Sequence, residues 1–104
     1  MATTAIGTDL GDDETGSWVA VSGITGGKFV LTCTGTFDSA SCAVEYSPDG
    51  TLAGGAVTDS AGTALAFTAA GNRLIDIGPG PGYLRGVTSG GSGSAAVDVD
   101  IWHP

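Results

Sequence analysis

Residues 28–50 constrain the fold of this chain most strongly, because apolar and polar side chains alternate on both sides of a short polar turn. In the first half, residues 28–37, one face carries the side chains of Phe29, Leu31, Cys33 and Phe37. In the second half, the same alternation gives Cys42, Val44 and Tyr46. A period of two is typical of strands with one buried face. The stretch therefore predicts two strands paired as a hairpin, with turns at 38–41 and 47–50.

Glycine spacing extends this pattern to the rest of the chain. The 104 residues include 19 glycines and 4 prolines, and the glycines separate short apolar runs. Further strands are predicted at residues 17–21, 63–68, 73–77, 83–88 and 95–101. We therefore expect an all-β fold, a single β-sandwich or jelly-roll-like domain of about seven to eight antiparallel strands.

The last predicted strand, residues 95–101, has the clearest alternation. Its apolar face carries Val97, Val99 and Ile101, and its polar face carries Asp98 and Asp100. Two carboxylates on one face also occur in glycosidases, where they must lie in a cleft. Alternating aspartates are more typical of a charged edge strand that prevents sheet-to-sheet pairing, and we expect that role here.

The N-terminal segment differs in composition from the rest of the chain. Residues 1–16 are polar, and four acidic side chains lie close together at Asp9, Asp12, Asp13 and Glu14. We expect residues 1–16 to form a polar acidic arm, either disordered or ordered against a neighbouring subunit, and residues 17–104 to form the β-sandwich domain. On this view, removal of residues 1–16 leaves the sandwich folded.

The net charge of −8 restricts the partners of this protein. Only Lys28, Arg73 and Arg85 are cationic, so the chain lacks the basic surface that nucleic-acid binding requires, and anionic membranes would repel it. The charge favours a basic protein partner. Since no apolar stretch approaches the roughly 20 residues of a membrane span and the N-terminus has no signal-peptide pattern, we expect assembly in the cytoplasm.

Residues suited to chemistry are few. The single histidine, His103, lies next to the C-terminus, and Cys33 and Cys42 are too far apart for a Cys-x-x-Cys motif. We expect no enzyme activity, no metal site and no cofactor. In a reducing cytosol the two cysteines are expected to be buried thiols, and a hairpin turn at 38–40 would leave them unopposed, which disfavours a disulfide.

Aromatic and arginine side chains provide the remaining binding candidates. The patterns around Trp18 and Tyr46 predict core positions, whereas Trp102, at the end of the last strand, is expected to be exposed. Arg85 lies within a predicted strand, where it either pairs with a neighbouring acidic side chain or contacts another subunit, since arginine is enriched at interfaces.

Several short motifs occur together in one order along the chain. They are Gly35-Thr-Phe37, Cys42-Ala-Val-Glu-Tyr-Ser-Pro-Asp-Gly50, Phe67 followed by Ala70-Gly71, and Pro81-Gly-Tyr-Leu-Arg-Gly-Val-Thr-Ser-Gly-Gly91. In this order the chain resembles, over residues 17–101, a group of small tailed-phage proteins that decorate or cement the capsid. It departs from them at residues 51–57, where Thr51-Leu-Ala replaces a Thr-Trp segment.

The resemblance implies a β-sandwich virion protein that binds the major capsid protein on the capsid exterior, commonly as a homotrimer, and stabilises the head. The implied capsid or subunit interface lies in the N-terminal arm or at one sandwich end with the loops 78–82 and 89–94. Its candidate residues are Asp9, Asp12, Asp13, Trp18, Tyr83, Arg85 and Trp102. The alternative is a head-fibre or tail-associated adhesin, or a carbohydrate-binding module, that binds a glycan.

Overall fold

A computed structural model describes residues 2–21, 27–51, 55–77 and 82–103 of the protein, and it has no helix in these ranges. The strands are β1 (Ala2–Leu10), β2 (Val19–Ala20), β3 (Gly27–Thr36), β4 (Ala40–Ser47), β5 (Gly55–Ala56), β6 (Gly71–Ile77), β7 (Tyr83–Gly90) and β8 (Ala96–His103). The expected all-β fold is confirmed, and the eight strands form two antiparallel sheets of a β-sandwich.

The two sheets contain four strands each. Sheet A has the order β1-β8-β3-β6, and sheet B has the order β2-β7-β4-β5. Their apolar faces pack against each other, as the period of two requires. The fully buried side chains from both sheets include Ile6, Leu31, Cys33, Ile75, Val97, Val99 and Ile101 from sheet A, and Cys42, Val44 and Leu84 from sheet B.

Successive strands alternate between the sheets. Among the described strands, only β4 and β5 are neighbours both in the chain and in a sheet. The hairpin predicted for residues 28–50 is therefore wrong, because β3 pairs with β6 and β8 whereas β4 pairs with β5 and β7. Phe37 and Ala40 are both buried, so the chain crosses from one inner face to the other through Asp38 and Ser39, whose φ angles are 48° and 68°.

The N-terminal segment belongs to the sandwich. Residues 2–10 form β1, which pairs with β8, and Ile6 and Leu10 are 0% and 2% exposed. The expected arm over residues 1–16 is corrected accordingly. Register shifts interrupt the pairing between Ala5 and Gly7 and between Gly7 and Leu10. These irregularities break the period of two, so the alternation that reveals other strands is missing from the sequence here.

The position of β1 changes the role of the last strand. Because β1 lies outside β8, β8 is a central strand of sheet A, between β1 and β3. Asp98 and Asp100 do lie on the outer face, but the edge location expected for them is wrong. Their carboxylates instead lie in the middle of the outer face of sheet A.

We expect deletion of residues 1–16 to unfold the protein, because it removes a whole strand with its buried side chains and leaves the hydrogen-bonding edge of β8 unpaired. Ile6→Ala in the full-length chain should lower the free energy of unfolding by about 2–4 kcal/mol, the usual cost of truncating a buried isoleucine. Urea denaturation followed by tryptophan fluorescence measures both. A truncated chain that still unfolds cooperatively would contradict the integration of β1.

Two glycines with similar backbones give a matched test of the packing between β3 and β8. Gly35 has φ 108°, and a Cβ there would collide with the carbonyl oxygen of Ala96. Gly93 has φ 109° but open space around it. We expect Gly35→Ala to cost about 2–4 kcal/mol of stability, from backbone strain plus overpacking, and Gly93→Ala about 1 kcal/mol. Equal urea midpoints for the two variants would refute the close approach.

Candidate functional site

The outer face of sheet A carries a row of apolar side chains that crosses three strands. Trp102 of β8 pairs in register with Val30 of β3, and Val30 pairs with Leu74 of β6. Directly opposed residues on one sheet face have Cβ atoms about 5 Å apart, so these side chains form one continuous strip. We call this row, together with Asp98 and Asp100 beside it, the acidic–apolar face.

The acidic–apolar face is exposed to an unusual degree for side chains of this size. Trp102 is 40% exposed and Leu74 is 44% exposed, and these are the exposed large hydrophobic residues among those described. The expected exposure of Trp102 is thus confirmed. Its indole Nε1 donates a hydrogen bond to Thr32 Oγ1 at 3.1 Å, which holds the ring against β3.

Two carboxylates border the apolar row. Asp100 pairs in register with Thr32 and Asp98 with Thr34. The backbone N–H of Asp9 donates to Asp98 Oδ1 at 2.8 Å, so β1 fixes that carboxylate. Burial, followed by the negative charge of Asp98, raises the pKa of Asp100 above its ordinary value. A partner that brings a positive charge to this face would relieve that electrostatic penalty.

The sequence pointed to only part of this face. Trp102 was a candidate, but Val30 and Leu74 were not. Alternation places Val30 on the face opposite to Phe29 and Leu31, whereas in residues 73–77 the core position was open between Leu74 and either Ile75 or Ile77. Ile75 is fully buried, and since side chains alternate along a strand, Leu74 must point outward. The burial of Ile75 and the cross-strand register that joins Leu74 to Trp102 are both tertiary information.

The outer face of sheet B carries a second cross-strand row, in which Arg85 is central. Arg85 Nη2 lies 2.7 Å from Glu45 Oε1, and its Cζ lies 4.0 Å from the centroid of the Trp18 ring. Pairing of Arg85 with an acidic neighbour is therefore confirmed. The core position expected for Trp18 is wrong, because the ring lies under the guanidinium on the outer face, where the two gain a cation–π contact.

The side chain of Tyr83 also packs against another part of the same chain. It is half-buried on the outer face of sheet B and lies over the turn at Gly50, where an added Cβ would come within 3.1 Å of the ring. The turn itself is closed by Ser47, whose Oγ accepts a hydrogen bond from Gly50 N–H at 2.9 Å. Gly50 has φ 80°, as the predicted turn requires.

The acidic residues after β1 hold one end of the sandwich together. Asp13 Oδ1 accepts a hydrogen bond from Gly90 N–H at 2.7 Å, and Asp12 Oδ1 accepts one from Ala95 N–H at 3.2 Å. From the other side, Asp38 Oδ2 accepts from Ser94 N–H at 2.8 Å. The loop 89–94 is therefore tied down by carboxylates, and residues 78–81 of the other candidate loop lie outside the described residues.

A groove of about 270 Å³ opens at the sandwich edge between β1 and β2. Ile6, Leu10 and Val19 contribute apolar surface to it, and Glu14 is the one titratable residue among those that line it. General acid–base chemistry needs a second positioned group, so this lining does not form a catalytic pair.

The described residues contain no cluster of three or more histidine, cysteine, aspartate or glutamate side chains suited to a metal ion. Within the same residues, the structure has no helix of the length and apolar character that would cross a membrane. Comparisons of the chain with protein-family models, with curated proteins and with solved structures found no match.

The raised pKa of Asp100 predicts a stability change with a definite sign. The folded state disfavours the ionised carboxylate of Asp100, so ionisation of this group lowers the free energy of unfolding. The loss begins as the pH rises through the unfolded pKa of about 3.9 and is complete once the pH exceeds the raised folded pKa. We expect Asp100→Asn to raise the urea midpoint at neutral pH, with the gain lost near about pH 3, where the carboxyl is protonated in both states.

Asp98→Asn is the matched control for this prediction. In an Asp98→Asn background the gain from Asp100→Asn should shrink, because one of the two causes of the raised pKa is gone. Unchanged or lower stability of Asp100→Asn at neutral pH would show that the Asp100 carboxylate is not destabilising.

Proposed function

We propose that this protein is a structural virion protein that binds the exterior of a tailed-phage capsid and stabilises the head, with the acidic–apolar face as its contact surface. The observation that carries the proposal is the apolar row of Trp102, Val30 and Leu74 on one sheet face, in which Trp102 and Leu74 are exposed and Val30 is half-buried between them. Apolar area of this kind on a rigid sheet is typical of surfaces that another protein covers. The resemblance of residues 17–101 to capsid-decorating proteins supplies the partner.

The composition of the face suits an interface centre. Aromatic residues dominate binding energy when they enter a pocket on the partner, and Trp102 is already held by its hydrogen bond to Thr32. A fixed ring loses little rotamer entropy on binding. The partner surface that complements this face has an apolar pocket bordered by lysine or arginine, which would approach Asp98 and Asp100.

Sheet B supports the proposal less well. Arg85 is paired with Glu45 and stacked on Trp18, so contact with a partner would have to displace or share existing interactions. Asp12 and Asp13 are likewise hydrogen-bonded to the loop before β8. We therefore place the capsid contact on sheet A, and the homotrimer implied by the resemblance remains part of the proposal.

A glycan-binding role is the second candidate, since one observation favours it. The indole of Trp102 is exposed and hydrogen-bonded to Thr32, which pairs in register with Asp100, and an exposed aromatic ring beside polar groups suits stacking against a sugar. In that case binding depends on Trp102 but is insensitive to Leu74, which lies beyond Val30 on the far strand.

Binding to capsids tests the proposal directly. Capsids stripped of small outer proteins, from a phage that carries this coding sequence, are mixed with the purified protein and sedimented. We expect Trp102→Ala and Leu74→Ser each to weaken binding by about tenfold or more, the effect of losing an interface hot spot. Trp18→Ala, an aromatic truncation on the opposite sheet, serves as the matched control and should bind normally.

The outcomes separate the alternatives. Loss of capsid binding with Trp18→Ala but not with the sheet A variants would move the interface to sheet B. Absence of capsid binding by the wild-type chain, together with glycan-array binding that Trp102→Ala abolishes, would replace the proposal by the glycan-binding role. Native mass spectrometry of the free protein and of the Leu74→Ser variant tests the trimer and whether the face forms it.

A further inference from the structure

The crossing between β3 and β4 places two cysteines on facing strands of opposite sheets. Cys33 lies on the inner face of β3 and Cys42 on the inner face of β4, and both are free thiols with 0% exposure. Buried thiols were expected from the sequence and are confirmed. The hairpin geometry that made a disulfide unfavourable does not exist, since the chain crosses between sheets at Asp38 and Ser39.

Both thiols belong to one buried core cluster, on the inner faces of central strands in the two facing sheets. Each thiol has the largest effect on the pKa of the other, which is raised far above the ordinary value for Cys33 and lowered for Cys42, and burial further raises the pKa of Cys33. The Cys42 thiol also donates to the carbonyl oxygen of Ala43 at 3.8 Å. Facing strands of β-sandwiches are positions where inter-sheet disulfides form in other folds.

We propose that Cys33 and Cys42 are an oxidation site that forms an intramolecular disulfide between the two sheets, with a low-molecular-weight disulfide such as oxidised glutathione as the oxidant. One thiolate attacks the glutathione disulfide, forms a mixed disulfide and releases one glutathione. The second thiolate attacks the protein sulfur of that mixed disulfide and releases the other. The protein loses two electrons and two protons, and oxidised glutathione becomes two glutathione thiols.

Access controls the rate of this reaction. The thiolate is the reactive species, and the raised pKa of Cys33 leaves almost none of it at that position. The pKa of Cys42 is lowered, but its sulfur is 0% exposed and out of reach of a dissolved disulfide in the closed core. Exchange therefore requires transient opening of the sandwich near the crossing. The reaction is slow in the native protein and becomes faster at urea concentrations below the unfolding transition, where local opening increases.

The cross-link would join parts of the fold that backbone hydrogen bonds do not join. β3 and β4 lie inside sheet A and sheet B, and within each sheet the ladders already fix the strands. Among the described residues, side-chain packing is what holds β3 against β4 across the core. A covalent bond there restricts separation of the sheets and constrains the unfolded chain as well.

The test compares the equilibrium between thiol and disulfide in the folded and unfolded chain. The protein is equilibrated in glutathione buffers of fixed ratio, with and without denaturing urea, quenched with acid, alkylated and analysed by mass spectrometry. We expect the disulfide-to-dithiol ratio to be at least about tenfold higher in the native protein, since the fold brings the thiols together. A ratio equal to or below that of the unfolded chain would overturn the proposal.

Single-cysteine variants provide the control. Cys33→Ala and Cys42→Ala cannot form the intramolecular bond, so under the same conditions each should give only a glutathione adduct, whereas the wild type loses two hydrogens and links the two peptides. The oxidised wild type should also melt at a higher temperature than the reduced form. The inter-sheet bond would be contradicted by an oxidised wild type with a lower melting temperature than the reduced form. It would also be contradicted by an oxidised wild type that contains only disulfide-linked dimers or glutathione adducts. Both results are read on the wild type, so they hold even if the single-cysteine variants fail to fold. This inference does not depend on the proposed function.

Discussion

The structure depends on the burial of two apolar sheet faces against each other by a chain that changes sheet at almost every connection. Phe37 and Ala40 show how one crossing works, because both are buried on either side of a two-residue bend with positive φ angles. Within the described strands, nearly every pairing joins residues far apart in the sequence, so no local segment is stable by itself. A fold of this kind forms as a unit and is expected to fold slowly.

Polar side chains at one end of the sandwich hold these crossings in place. The residues after β1, the bend between β3 and β4 and the residues 90–95 meet there. Backbone N–H groups of residues 90–95 donate hydrogen bonds to the carboxylates of Asp12, Asp13 and Asp38. The carboxylates of Asp12 and Asp13, which the sequence placed in an acidic arm, therefore form hydrogen bonds within the sandwich. Asp98 and Asp100 lie elsewhere, in the middle of the outer face of sheet A, because β1 pairs outside β8.

Local patterns predicted the components of the fold well. The inward faces of β3, β4 and β8 followed from alternation, as did the turn at Ser47 to Gly50. Residues 63–68, predicted as a strand, form isolated bridges and not a full strand, with Leu65 and Phe67 buried. Pairing was predicted less well. The hairpin, the N-terminal arm and the edge position of Asp98 failed for one reason: each required knowledge of which distant strand lies alongside, and alternation carries no such information.

The sequence by itself determined an acidic, all-β chain with one apolar core, because side-chain period and glycine placement act over a few residues. It also determined that Trp102 ends a strand and that Cys33 and Cys42 are inward. Only the tertiary structure decided that Trp102, Val30 and Leu74 form one row on the outer face of sheet A and that Cys33 and Cys42 lie on the inner faces of opposite sheets. Both results come from long-range register and sheet packing, which depend on free-energy differences between whole arrangements of strands and not on any single segment.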